Sequence, residues 1–90
     1  MKAEEIVEEL QDVARQIGVT IRFEKGDFEG GFCVLREQRL VLINKRLMPT
    51  RKASLLALAL QTIGLEEVFL KPAVRQYIED EAVKAEREAR

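Results

Sequence analysis

Ninety residues with 47% hydrophobic content can close one core unaided, and the single cysteine, Cys33, excludes an intramolecular disulfide. A net charge of −1 gives no global field toward nucleic acid, and the absence of histidine excludes the Ser-His-Asp triad, the Cys-His dyad and every histidine-ligated zinc site. The opening "MKAEEIVEELQ" is acidic where a signal peptide is apolar, and the longest apolar run, Leu55 to Leu60, is far short of the roughly 20 residues of a membrane span. One cytoplasmic domain, residues 1–90, with no membrane contact, is the expectation.

Residues 2–17 read as an amphipathic helix. Ile6, Val7, Leu10, Val13, Ala14 and Ile17 form one stripe at a 3.6 period, opposite Glu4, Glu5, Glu8, Glu9, Asp12 and Arg15. Gly18 has the position of a left-handed cap. From there the period becomes two: Val19, Ile21 and Phe23 alternate with Thr20, Arg22 and Glu24, as in a half-buried strand. "EKGDFEGG" is a loop, and "FCVLR" and "LVLIN" are two further strands. The "EQ" between them lacks Asn-Gly turn chemistry, which predicts a longer or bulged hairpin. Leu40 to Ile43 is apolar at every position, as in a strand covered on both faces.

"NKRLMPTRKA" leads into a central helix, with Thr50 as its expected N-cap and Gly64 as its stop. Pro72 opens the last helix, where Val74, Tyr77 and Ile78 pack inward. Beyond Glu79 the stripe thins to alanines and Val83, which predicts solvated, frayed turns over about 83–90. The expected fold is α+β, in the order α-β-β-β-α-α, with a three-stranded antiparallel meander packed against a buried central helix.

Charge is unevenly placed. Residues 1–31 carry four Lys/Arg against eight Asp/Glu, whereas residues 32–52 carry six basic residues and one acidic. Those six, Arg36, Arg39, Lys45, Arg46, Arg51 and Lys52, form the candidate site for an anion, an acidic protein or nucleic acid. Lys45, Arg46, Arg51 and Lys52 bracket the central helix start, where free N–H groups also favour anions. No glycine-rich phosphate loop accompanies them, and no aromatic residues are interleaved. Cys33 reads as a small buried hydrophobe, because a reactive thiolate needs an activating neighbour and histidine is absent. Asp27 and Glu29 match no calcium-loop spacing. Glu79, Asp80 and Glu81 are consecutive, so they diverge around a helix and read as solvated, as do Glu66 and Glu67.

The segment "GGFCVLREQRLVLINKRLMPTRKASLLALALQTIG" resembles the heart of minimal zincin-like domains in its element order: glycine pair, hairpin, apolar strand, basic link, helix ending at glycine. In that family the helix carries an HExxH zinc motif. Here it offers Ser, Leu, Ala, Gln and Thr, so the resemblance implies a scaffold without its metal and without peptidase chemistry. The whole chain also resembles small uncharacterised bacterial proteins. The functional expectation is a non-catalytic interaction domain with no cofactor. Between Leu55 and Leu60 the central helix shows no polar face, so either the last helix covers its second face or another subunit does, with Leu55, Leu58, Ala59 and Thr62 as the candidate homo-oligomer contact.

Overall fold

The computed structural model describes residues 1–35 and 37–89, with the side chains of Cys33 and Leu35 outside the description. The elements are α1 (Ala3–Gln16), β1 (Val19–Glu24), β2 (Gly30–Leu35), β3 (Gln38–Asn44), α2 (Pro49–Ile63) and α3 (Pro72–Glu88). The α+β class and the element order are those expected. The sheet is not a meander.

Its strand order is β1-β3-β2, with β1 parallel to β3 and β2 antiparallel to it. The strand that is apolar at four successive positions takes the centre, where both edges of its backbone find partners. β1 is displaced to the side, and the chain from Lys25 to Glu29 carries across the end of β3 to reach β2. Alternation in Val19–Phe23 could not reveal this, because an edge strand with one covered face alternates whether its neighbour is parallel or antiparallel.

The β2–β3 hairpin is also tighter than expected. Leu35 pairs with Gln38, so two residues make the connection, and Glu37 supplies the positive φ, at 68°, that such a turn requires. At the other boundary, Pro49 rather than Thr50 opens α2: Met48 is the N-cap and Pro49 sits in the first turn. The proline ring fixes a helical φ, and its missing N–H is one the helix start leaves unpaired anyway.

Register fixes the two faces of the sheet. Val19, Ile21 and Phe23 of β1 share a face with Val41 and Ile43 of β3 and with Gly30, Phe32 and Val34 of β2. This face meets the helices, and Val41 and Ile43 are fully buried there. The opposite face carries Leu40 and Leu42, both half-buried, so β3 is covered on one side only, contrary to the two-sided burial its composition suggests. The apolar stripe of α1 behaves as read, with Ile6, Leu10, Val13 and Ala14 buried. Gly18, at φ 70°, turns the chain out of that helix in the left-handed conformation that glycine adopts without strain.

Helix α2 is central. It packs against α1 on one side, α3 on the other and the sheet beneath. Ala53, Leu56, Ala57 and Leu60 are completely buried, and Leu55 and Ala59 are half-buried against the same core. Three neighbours explain why nearly all of its circumference is hydrocarbon. Helix α3 continues to Glu88, through the turns where the thinning stripe predicts fraying, with residues 86–89 exposed.

Candidate functional site

Along one stretch of α2 the covering is incomplete among the described residues. Beside the edge strand β2 lies an open groove of about 200 Å³, lined by Gly30, Gly31 and Phe32 on the strand and by Leu55, Leu58, Ala59 and Thr62 on the helix. All four helix residues expected at a contact surface therefore meet in one place. The strand half of the groove went unread in the sequence, because only the sheet order makes β2 an edge. Phe32 and Val34 point to the helix side yet stay 37% and 62% exposed, since α2 borders β2 without covering it. Gly30 has no room for a side chain: a Cβ there would lie 2.6 Å from the Leu42 carbonyl oxygen. The strand wall of the groove is consequently bare backbone at that point.

Among the described residues, the edge itself is open. The Asn44 amide donates to the Glu29 carbonyl at 2.8 Å, which makes 29 and 44 a hydrogen-bonded pair. Alternation along the antiparallel ladder then turns Gly31, Cys33 and Leu35 toward β3 and leaves the N–H and C=O groups of Gly30, Phe32 and Val34 facing outward.

Among the described residues, Arg39 stands apart from the other basic candidates. Arg36 lies outside the described residues. The Arg39 guanidinium donates to the Ile17 carbonyl at the C-terminus of α1, where a cation is favoured by the helix dipole. It stands five residues from Asn44 along β3, roughly 17 Å from the Lys45 end at about 3.4 Å per residue. Arg51 forks onto both Glu29 carboxylate oxygens at 2.9 Å each, and the Lys52 ammonium sits 5.6 Å above the Phe23 ring. Lys45 and Arg46 are exposed in the turn after β3. Four neighbours in sequence thus include two cations already engaged within the fold. The Glu29–Arg51 pair also accounts for one of the two loop carboxylates considered for a cation; Asp27 is exposed. The Cys33 side chain, the one candidate nucleophile, lies outside the described residues.

A second polar feature, solvent-facing by its place in the sequence, turns inward in the fold. Glu81 is only 8% exposed, on the α3 face that meets α2. Burial pushes its carboxyl up, but hydrogen bonds from Ser54 and Lys84, with the charges of Lys84 and Arg51, outweigh that and hold it below its ordinary value. The Lys84 ammonium lies 3.0 Å away. Glu29 is likewise held down by the Arg51 fork. Nothing in the run Glu79-Asp80-Glu81 shows which of three diverging carboxylates turns inward; the signal was Ser54 on α2 and Lys84 three residues on.

Both shifts have the same sign. A carboxyl depressed by folding contributes stability above its unfolded value near 4.5, and that contribution is lost as pH falls through the folded value. Glu81→Gln should lower stability by about 1–2 kcal/mol at pH 7. The gap to wild type should close under acid, because there the wild-type carboxyl is neutral too. Urea melts at neutral and strongly acid pH measure this, and a gap that persists in acid contradicts it.

Neither a protein-family model, nor a curated protein, nor a solved structure matches the chain.

Proposed function

We propose that the chain is a non-catalytic interaction domain, working in the cytoplasm, that binds its partner along the β2 edge and the adjoining groove of α2. The carrying observation is the convergence, among the described residues, of an uncovered strand edge with four partly exposed helix residues in one apolar groove. A strand edge supplies main-chain hydrogen bonds, and the groove beside it supplies side-chain selectivity. In this reading the likeness to a zincin-like core is one of scaffold alone, since Ser, Leu, Ala, Gln and Thr occupy the helix where histidines would project. Anion or nucleic-acid binding through Lys45–Lys52 is the lesser reading, because Glu29 and Phe23 already engage Arg51 and Lys52.

A photo-crosslinking amino acid tests the assignment in cells that naturally produce the chain. Placed at Leu58, in the groove, it should give an adduct of discrete mass that disappears when Val34→Lys is added. Placed at Glu4, exposed on α1, it should give none. No adduct from Leu58, or equal adducts from both positions, overturns the reading.

A further inference from the structure

We infer that the occupant of this groove is a second copy of the same chain, joined by antiparallel pairing of β2 with β2 about a twofold axis at Phe32; the inference rests on the interaction surface proposed above. The two edges of the sheet differ in a way that points to pairing. β1 carries Arg22 and Glu24, ion-paired at 2.6 Å, on its outer strand. Charges of that kind keep an edge from joining another. β2, "GGFCVL", has no charged residue and no proline between Glu29 and Arg36. An edge of six uncharged residues with its amides open is one that natural sheets avoid unless it is used.

Register then makes the strand complementary to itself. The outward-facing groups belong to Gly30, Phe32 and Val34, so a twofold axis at Phe32 pairs Phe32 with its own copy and Val34 with Gly30 of the partner subunit. All three residues lie on the helix side of the sheet. Val34, 62% exposed and left uncovered by α2, would drop beside the bare backbone of the partner's Gly30 and into the groove there. Each copy provides one projecting valine and one glycine that sets no side chain against it, as an isologous contact requires.

The layer above the sheet also fits. α2 packs on both β3 and β2. With strands about 4.8 Å apart, its axis lies roughly 5–7 Å from the twofold, and the two α2 helices lie about 10–14 Å apart. Helices in contact pack at about 8–10 Å. Leu55 and Leu58, with Phe32 below them, are the side chains available to close the difference. Ten residues a side, Gly30–Leu35 with Leu55, Leu58, Ala59 and Thr62, at about 27–40 Å² each, bury roughly 540–800 Å² in total. That area is the size of a transient contact, so the dimer is reversible and concentration-dependent.

Sedimentation equilibrium on the full chain up to about 200 μM should give a mass that rises with concentration toward twice the 10.3 kDa monomer. Val34→Lys alters a mostly exposed side chain, so its circular dichroism should match wild type while its dissociation constant rises roughly 100-fold, the change counting once in each copy. Register is read by oxidation in a Cys33→Ser background. Phe32→Cys should form an intersubunit disulfide, because hydrogen-bonded antiparallel pairs place Cα atoms about 5.5 Å apart. Val34→Cys should not, since those positions sit four residues apart, roughly 14 Å, across the axis. A monomer at the highest concentration overturns the inference, as does a dimer indifferent to Val34→Lys or one that crosslinks at 34 and not at 32. If the Leu58 adduct in cells is a different protein, the dimer falls and the interaction surface stands. If there is no adduct and no dimer, both fall.

Discussion

Leu56→Asp should leave no folded protein at room temperature, whereas Leu58→Asp, two positions further along the same helix, should fold. Leu56 is completely buried among the helices and the sheet. Removing its side chain alone, as in Leu56→Ala, costs about 2–5 kcal/mol in lost contacts and residual cavity. A carboxylate at that position adds the cost of an unpaired buried charge, several kcal/mol more, or forces the group to take up a proton. A 90-residue domain holds roughly 5–13 kcal/mol in all, at about 0.05–0.15 kcal/mol per residue. The aspartate consumes most of that or exceeds it. Leu58 borders the open groove and is half-buried, so a carboxylate there keeps contact with water. Far-UV circular dichroism and urea melts distinguish the two variants. A cooperative transition for Leu56→Asp at the wild-type midpoint contradicts the placement of this face in the core. The same pair separates folding from assembly, because Leu58→Asp should be folded, monomeric and unable to crosslink.

Most of what the residues reveal concerns local periodicity, and most of what they conceal concerns which distant segments meet. The 3.6 stripe of α1 and the all-round hydrocarbon of α2 each imply the burial the structure has. Leu55, Leu58, Ala59 and Thr62 could be singled out because a helix fixes the spacing of its own face. The basic residues follow the opposite logic. They are close in sequence, but β3 intervenes and carries Arg39 to the far end of the sheet from Lys45 and Arg46. Strand order left no trace in the alternation of β1, and the inward turn of Glu81 depended on a serine 27 residues earlier. The strand half of the groove was hidden for the same reason. "GGFCVL" reads as a strand wherever it lies, and only its place at the sheet edge turns it into a surface.

Asn44 ties that edge to the rest of the fold, and Asn44→Ala should be the costliest polar truncation, at about 2–4 kcal/mol. It is 8% exposed, at the end of β3. Its amide nitrogen donates to the Gly26 carbonyl at 2.8 Å and the Phe28 carbonyl at 2.6 Å, while its carbonyl oxygen accepts from the Arg46 amide at 2.9 Å. Every polar atom it brings inside is therefore used. These bonds hold the Lys25–Glu29 crossing over the end of β3, and so set where β2 begins. Alanine leaves two carbonyls and one N–H without their partner. It should also loosen the β2 edge, raising amide exchange at Gly31 more than at Val41 in the centre of the sheet. Asn44→Asp is the sharper variant because it keeps size and the bond from the Arg46 amide. A carboxylate has no hydrogen to donate, however, and it faces the Gly26 and Phe28 carbonyls. It should be at least as destabilising as alanine at pH 7, and its deficit relative to Asn44→Ala should shrink in acid, where protonation restores one donor. Comparing both variants by urea melts at neutral and acid pH isolates the donor from the packing. Equal behaviour at every pH would mean that the donated bonds are not what anchors the loop.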